Sequence, residues 1–354
     1  MKTLVSALAL FLFLLAVSLQ AAEEPKLSPL PIALSNNAVA ITHAGKESRI
    51  FSFMGIGAKK TWDAVTSRVF ALDLPTGKWT EIRAVPGAVG RIAASAASLK
   101  DQIVLMGGYI VDDQGAETTV ADVNILYPDE GRWYRGEDMP TPVDDSVTGV
   151  YRERYVYLIG GWSKADATRK VQVYDTEKNH WSEATPLPGT PVFGHAGTLV
   201  GDTIVYIDGA YKNPSGANPK YVASSECWMG KIAKGDPAKI EWTKLPEHPG
   251  HARYRIAAGA AEKDSRIYFT GGTDNPYNYN GIGYNGQPSE PSPATFAFNL
   301  KSGKWETINE NTPDQVMDQH TLLVTHRGLI TVGGMEKGQT VTAKVGIVKS
   351  SPAK

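Results

Sequence analysis

Arg91 and Arg255 head two nearly identical stretches, RIAASAAS at 91–98 and RIAAGAA at 255–261. Two guanidinium forks at one position of a recurring unit could grip a carboxylate or similar oxyanion through charge-assisted hydrogen bonds. Either arginine could equally serve the fold by pairing with an acid of a neighbouring unit. Corresponding positions elsewhere are also polar: Asn36 and Asn37, Asp144 and Asp145, His195, Tyr254, and Asp318, Gln319 and His320. An imidazole titrates near neutrality, so His195 and His320 could carry protons, with Asp145 as a base. The alternatives are hydrogen-bonded structural histidines and an ordinary loop acid. A second set lies in loop 273–293, where Tyr277, Tyr279 and Tyr284 alternate with Asn275, Asn278, Asn280 and Asn285. Aromatic faces beside amide donors suit a sugar ring, which offers both C–H faces and hydroxyls. The same loop could simply fold its rings onto its own surface. Trp162 and Tyr109 occupy equivalent places and would extend this rim.

What must position these residues is a repeat. IVLMGGY (103–109), YVYLIGGW (155–162), IVYIDGA (204–210), IYFTGGT (267–273) and LITVGGM (329–335) recur, with a degenerate IFSFMGIG at 50–57. A second phrase alternates with the first and ends on Trp79, Trp133, Trp181 and Trp305, with Trp242 as an altered copy. Short alternating runs with turn residues between them describe a four-stranded antiparallel meander in each unit.

The phrase resembles the Kelch repeat, a diglycine after the second strand of a blade followed by a tryptophan on the outer strands; its period is that of Kelch propellers. The resemblance covers roughly residues 26–350 and implies an all-β, six-bladed propeller. In such a ring the innermost strands converge on a channel, which suits the Ala, Gly and Ser of the RIAA stretches. Blade 2 would face blade 5 and blade 3 would face blade 6, setting Arg91 across from Arg255 and Asp144/Asp145 across from His320. The last unit has three strands, and PKLSPLPIAL at 25–34 is expected to complete it as an outer strand.

A six-bladed Kelch propeller of this plan resembles the bacterial N-acetylneuraminate epimerases, which interconvert sialic acid anomers. That resemblance implies paired acid and base action on the sugar ring, with basic groups holding the carboxylate. The family's acid directly after the blade-4 diglycine phrase is here Ala210. Galactose oxidase, a copper Kelch propeller, would need a Cys–Tyr crosslink near the channel, whereas Cys227 lies on an outer strand. A glycan- or protein-binding propeller without catalysis is the other reading.

Composition narrows the partners. The chain has 354 residues with a formal net charge of −1, so no basic surplus favours nucleic acid or an anionic membrane. Cys227 is the only cysteine, which excludes an internal disulfide and cysteine-rich metal sites. No metal and no cofactor are expected; the expected partner is a small molecule or glycan, with a protein as the alternative. Lys2 precedes an apolar run, Leu4 to Val17, and small residues at Ala21-Ala22, the pattern of a signal peptide over 1–22. The run is shorter than the roughly 20 residues of a spanning helix. The expected arrangement is a periplasmic or secreted single propeller over 23–354, with no membrane insertion after cleavage.

Overall fold

The computed structural model describes residues 25–42 and 48–350, so the segment read as a signal peptide lies outside the described residues. Among these residues five four-stranded antiparallel sheets and a sixth of three strands form the blades of a propeller. The inner strands are Ala38–Thr42, Ser95–Leu99, Val147–Tyr151, Ala196–Val200, Ala257–Ala261 and Leu323–Thr325. Blade 3 shows the pattern: Val147–Tyr151, Tyr155–Ile159, Val171–Asp175 and His180–Ala184 pair in order, with Val147 opposite Ile159 and Ile159 opposite Val171. Its second and third strands are sandwiched between neighbouring blades and are buried on both faces, with Gln172 and Asp175 the polar members. The outermost strand leaves His180, Ser182 and Glu183 exposed and buries Trp181 and Ala184. No helix among the described residues is long and apolar enough to cross a membrane.

The repeated tryptophans clasp one blade to the segment that leaves the blade before it. Each indole Nε1 donates to a carbonyl: Trp79 to Ser28 (2.9 Å), Trp133 to Arg83 (2.9 Å), Trp181 to Glu137 (2.8 Å), Trp242 to Thr185 (3.3 Å) and Trp305 to Pro246 (2.8 Å). The glycines serve the same seam. Gly107 has φ +60°, and a Cβ there would stand 2.2 Å from the Val143 carbonyl of the next blade. Gly161, at φ +97°, would meet the Asp144 carbonyl at 2.4 Å, so its lack of a side chain lets the diglycine lie against its own inner strand.

Closure departs from the expected outer strand. Leu30 N donates to Ala343 O (2.7 Å), just as Leu187 N donates to Arg169 O (2.9 Å) and Met139 N to Ala121 O (2.8 Å). Residues 25–34 therefore stand in for the connecting segment that follows a fourth strand elsewhere, and they pair with no strand of the last blade. Their irregular backbone follows from Pro25, Pro29 and Pro31, which cannot donate to a ladder. Leu27, Leu30 and Leu34 fill the seam between blades 6 and 1, against Phe70, Leu72 and Ile330.

Around the axis the backbone closes on itself. Asn36, Ala93, Asp145, Gly194, Arg255 and Asp318, one per blade, all have left-handed φ between +49° and +67°. Asn36 N donates to Asp318 O, Ala93 N to Asn36 O, Asp145 N to Ala93 O, Gly194 N to Asp145 O and Arg255 N to Gly194 O, at 2.8–3.3 Å. Gln319 N completes the collar by donating to Arg255 O at 3.4 Å. Left-handed backbone costs a non-glycine residue on the order of 1 kcal/mol, which the interblade hydrogen bonds offset.

Candidate functional site

The collar fixes which residues are equivalent, and it separates the two arginines. Ile92 bridges Tyr109 and Tyr254 bridges Thr273, so Arg91 corresponds to Arg253 and Arg255 corresponds to Ala93. Side-chain contacts agree: Arg91 Nη1 donates to Gly107 O (3.2 Å) and Arg253 Nη1 to Gly271 O (3.4 Å), each on its own diglycine. Arg91 spends its fork on Asp122, at 2.5 and 2.8 Å. It therefore does not face Arg255 across a shared cavity, contrary to the expectation from the matching RIAA phrases.

Arg255 instead lies buried on the axis. Its Nε and Nη2 grip Asp145 at 3.1 and 2.7 Å, while Nη1 reaches Asp318 at 2.6 Å. The guanidinium lies 5.0 and 5.4 Å from the ring centres of Tyr254 and Tyr277. Tyr277 donates to Asp318 (3.0 Å), and the Tyr254 hydroxyl is 3.4 Å from Asp145. Ser35 Oγ also donates to Asp318. His320 reaches across from blade 6 to blade 3, with Nε2 2.9 Å from Asn36 Oδ1 and 3.2 Å from Asp145 Oδ1. Burial holds the His320 pKa below its ordinary value, although the Asp145 carboxylate opposes that shift.

This charged bridge divides the channel. On one side a mouth of about 320 Å³ is walled by Tyr109, Trp162, Phe193, Tyr221, Tyr254 and Tyr284, with Asp144, Asp145 and Arg255 at its floor. Trp162 packs edge-on against Phe193 and Tyr221, with centroids at 5.2 and 5.7 Å. On the other side a cavity of about 660 Å³ runs between the inner strands, and both His195 and His320 reach it. His195 donates Nε2–H to Ile159 O (2.9 Å), and burial pushes its pKa down to about 4. It is a neutral ring at pH 7 and sits away from the mouth. Asn37 is likewise off the mouth, bonded to Ser52 and to the Val332 carbonyl.

Loop 273–293 forms a strap more than a wall. Tyr277 is fully buried beneath it, and Tyr279 crosses to pack with Ile56, Ile92, Tyr109 and Val111 of blades 1 and 2. Only Asn278 and Tyr284 of this loop line the mouth.

Other mouth residues come from hairpins that the repeat does not predict. Tyr109–Val111 with Glu117–Thr119 brings Glu117, and Ala210–Lys212 with Tyr221–Ala223 brings Tyr221 and Lys220 beside it. Asp144 is 3% exposed and accepts a hydrogen bond from Thr119 Oγ1 at 2.7 Å. Burial and the adjacent Asp145 raise its pKa well above the usual carboxylate range, with Thr119 opposing. Ala210 is fully buried, and Asp208 beside it turns inward to His248 (2.7 Å), so blade 4 supplies no acid to the mouth. Cys227 is a free, buried thiol whose pKa burial pushes up to about 12. Among the described residues no cluster of His, Cys, Asp and Glu could hold a metal ion.

A Kelch motif matches residues 147–188, blade 3 and the segment after it. The Kelch-like protein terF of Aspergillus terreus is 26% identical over 226 residues, 62% of this chain and 44% of that protein. The chain thus spans less than half the length of the first curated relatives it matches. The N-acetylneuraminate epimerase of Haemophilus influenzae is 21% identical over 324 residues, 78% of this chain and 82% of that protein. The solved structure of YjhT superposes with a TM-score of 0.71 at 17% identity, covering 93% of this chain and 99% of that one. With its diglycine seams, tryptophan clasps and six sheets about one axis, the chain is a Kelch-repeat six-bladed β-propeller that resembles the N-acetylneuraminate epimerases.

Proposed function

We propose that the mouth binds a saccharide. The observation that carries this reading is the wall of aromatic rings, Trp162, Tyr221, Tyr254 and Tyr284 among them, around a floor of buried carboxyl groups. Rings cover the C–H faces of a sugar while carboxylates and the Asn278 amide meet its hydroxyls. A cavity of about 320 Å³ has room for one or two sugar units. Calorimetric titration with free mono- and disaccharides tests it. Trp162→Ala should weaken binding about tenfold, or about 1.4 kcal/mol; unchanged affinity, or no saccharide bound by the wild type, would refute it.

A second reading is anomer exchange on the bound sugar. Asp144, whose pKa burial and the adjacent Asp145 raise, stands next to salt-bridged Asp145, and the pair offers the acid and base that ring opening needs. The similarity to an N-acetylneuraminate epimerase supports this reading. The charge of the floor favours a substrate without a carboxylate: Arg91 is held by Asp122, and Arg255 by Asp145 and Asp318. Exchange NMR should show Asp144→Asn slowing anomer interconversion more than it weakens binding. Export to the periplasm or beyond belongs to the same proposal and rests on the apolar run Leu4 to Val17.

A further inference from the structure

We propose that the saccharide bound at the mouth carries a protonated amine, so that the site selects amino sugars. The inference rests on the saccharide reading and adds the charge of the ligand. Glu117, Asp144 and Asp145 face the cavity, against Arg255 and Lys220. Arg255 is shared by Asp145 and Asp318, so that triad already carries a surplus negative charge.

Asp144 lies in no ion pair. Thr119 holds one of its oxygens, and no protein donor among the described residues reaches the other. Asp144 is nine-tenths buried and lines the cavity, so that oxygen awaits a donor from the ligand. Glu117 stands at the exposed rim, also without an ion-pair partner among the described residues. The walls add a second attraction, because aromatic faces draw an ammonium through their quadrupole. The chain itself shows the contact: the Lys220 ammonium rests 5.1 Å from the ring centre of Tyr221, at the edge of the mouth. Carboxyls beneath and rings around are the surroundings of an ammonium; a sialate carboxylate would meet unpaired acids there.

The test is calorimetric titration of the full chain with glucosamine, glucose, N-acetylglucosamine, N-acetylneuraminate and choline, at a pH where the amine is protonated. Glucosamine should bind at least about tenfold more tightly than glucose or N-acetylglucosamine. Asp144→Asn should abolish the preference, weakening glucosamine binding at least about tenfold more than glucose binding, and Lys220→Met, which removes a competing ammonium, should strengthen glucosamine binding. Equal affinity for glucose and glucosamine would overturn the amine requirement and leave the saccharide reading standing. So would tightest binding of N-acetylneuraminate. Choline bound with no sugar bound would overturn the saccharide reading instead, and no binding at all would overturn both.

Discussion

Replacing Arg255 with methionine probes the charged bridge across the axis. The side chain is 3% exposed and satisfies two carboxylates, Asp145, itself 3% exposed, and Asp318, fully buried. Methionine fills similar volume, so the cost is electrostatic rather than a cavity. Removing one partner of a buried ion pair costs about 3–5 kcal/mol, because the remaining charge is left uncompensated. Here two acids are stranded beside Asp144, so the upper end of that range, about 5 kcal/mol, is expected at pH 7. Urea denaturation followed by tryptophan fluorescence reads it directly. The loss must also depend on pH. Without the guanidinium two buried negative charges are left uncompensated, and protonation at lower pH removes that charge and with it the cost. Acidification from pH 7 towards 4.5 should then narrow the gap to wild type, and adding Asp318→Asn should recover part of it. A loss below about 1 kcal/mol, or one constant over that pH range, would refute the reasoning.

His195 is buried with its pKa depressed to about 4, so the unfolded state takes up its proton first and stability falls as pH drops from about 6.5 towards 4. His195→Gln should flatten that part of the stability–pH curve by up to about 1.4 kcal/mol per pH unit, measured by denaturant melts at several pH values; an unchanged slope would count against it. Deleting residues 25–34 should strip three buried leucines from the seam between blades 6 and 1, at about 2 kcal/mol each, and remove the acceptor of the Trp79 clasp. A monomeric deletion variant melting with the wild type, by size exclusion and calorimetry, would contradict the closure described.

The ring was readable because its signals are local and repeated. A diglycine reports a seam where a Cβ would strike the neighbouring blade, and the tryptophan second in the outermost strand of blades 1, 2, 3 and 5 reports the clasp. The residues leading into the inner strands were readable for the same reason, which is how Asp145, Arg255 and His320 were found and why blades 3 and 6 meet across the axis. The false equivalence of Arg91 and Arg255 has a definite cause. A strand repeats its faces every two residues, so a shift of one residue exposes the core while a shift of two leaves the apolar pattern intact. RIAA at 255–258 is shifted by two from RIAA at 91–94, and nothing in hydrophobicity marks the difference. Left-handed backbone marks it, and neither alanine nor arginine announces that conformation. Glu117 and Tyr221 sit on hairpins whose length and sequence differ from blade to blade, so no periodicity points to them. Tyr279 could be seen as aromatic, but its passage over the mouth depends on the path of a long loop.

The collar has a consequence for how such a protein diversifies. Its hydrogen bonds are made by backbone groups alone, so the ring's continuity is indifferent to the side chains mounted on it. The six mounts read Asn, Ala, Asp, Gly, Arg, Asp in chain order, a short word written on an unchanging frame. Each letter needs only to tolerate the left-handed region, where glycine, asparagine and aspartate sit most readily. One substitution can therefore rewrite the electrostatics of the whole axis while the blades stay where they are, provided that each new charge finds its counterpart among the other five letters.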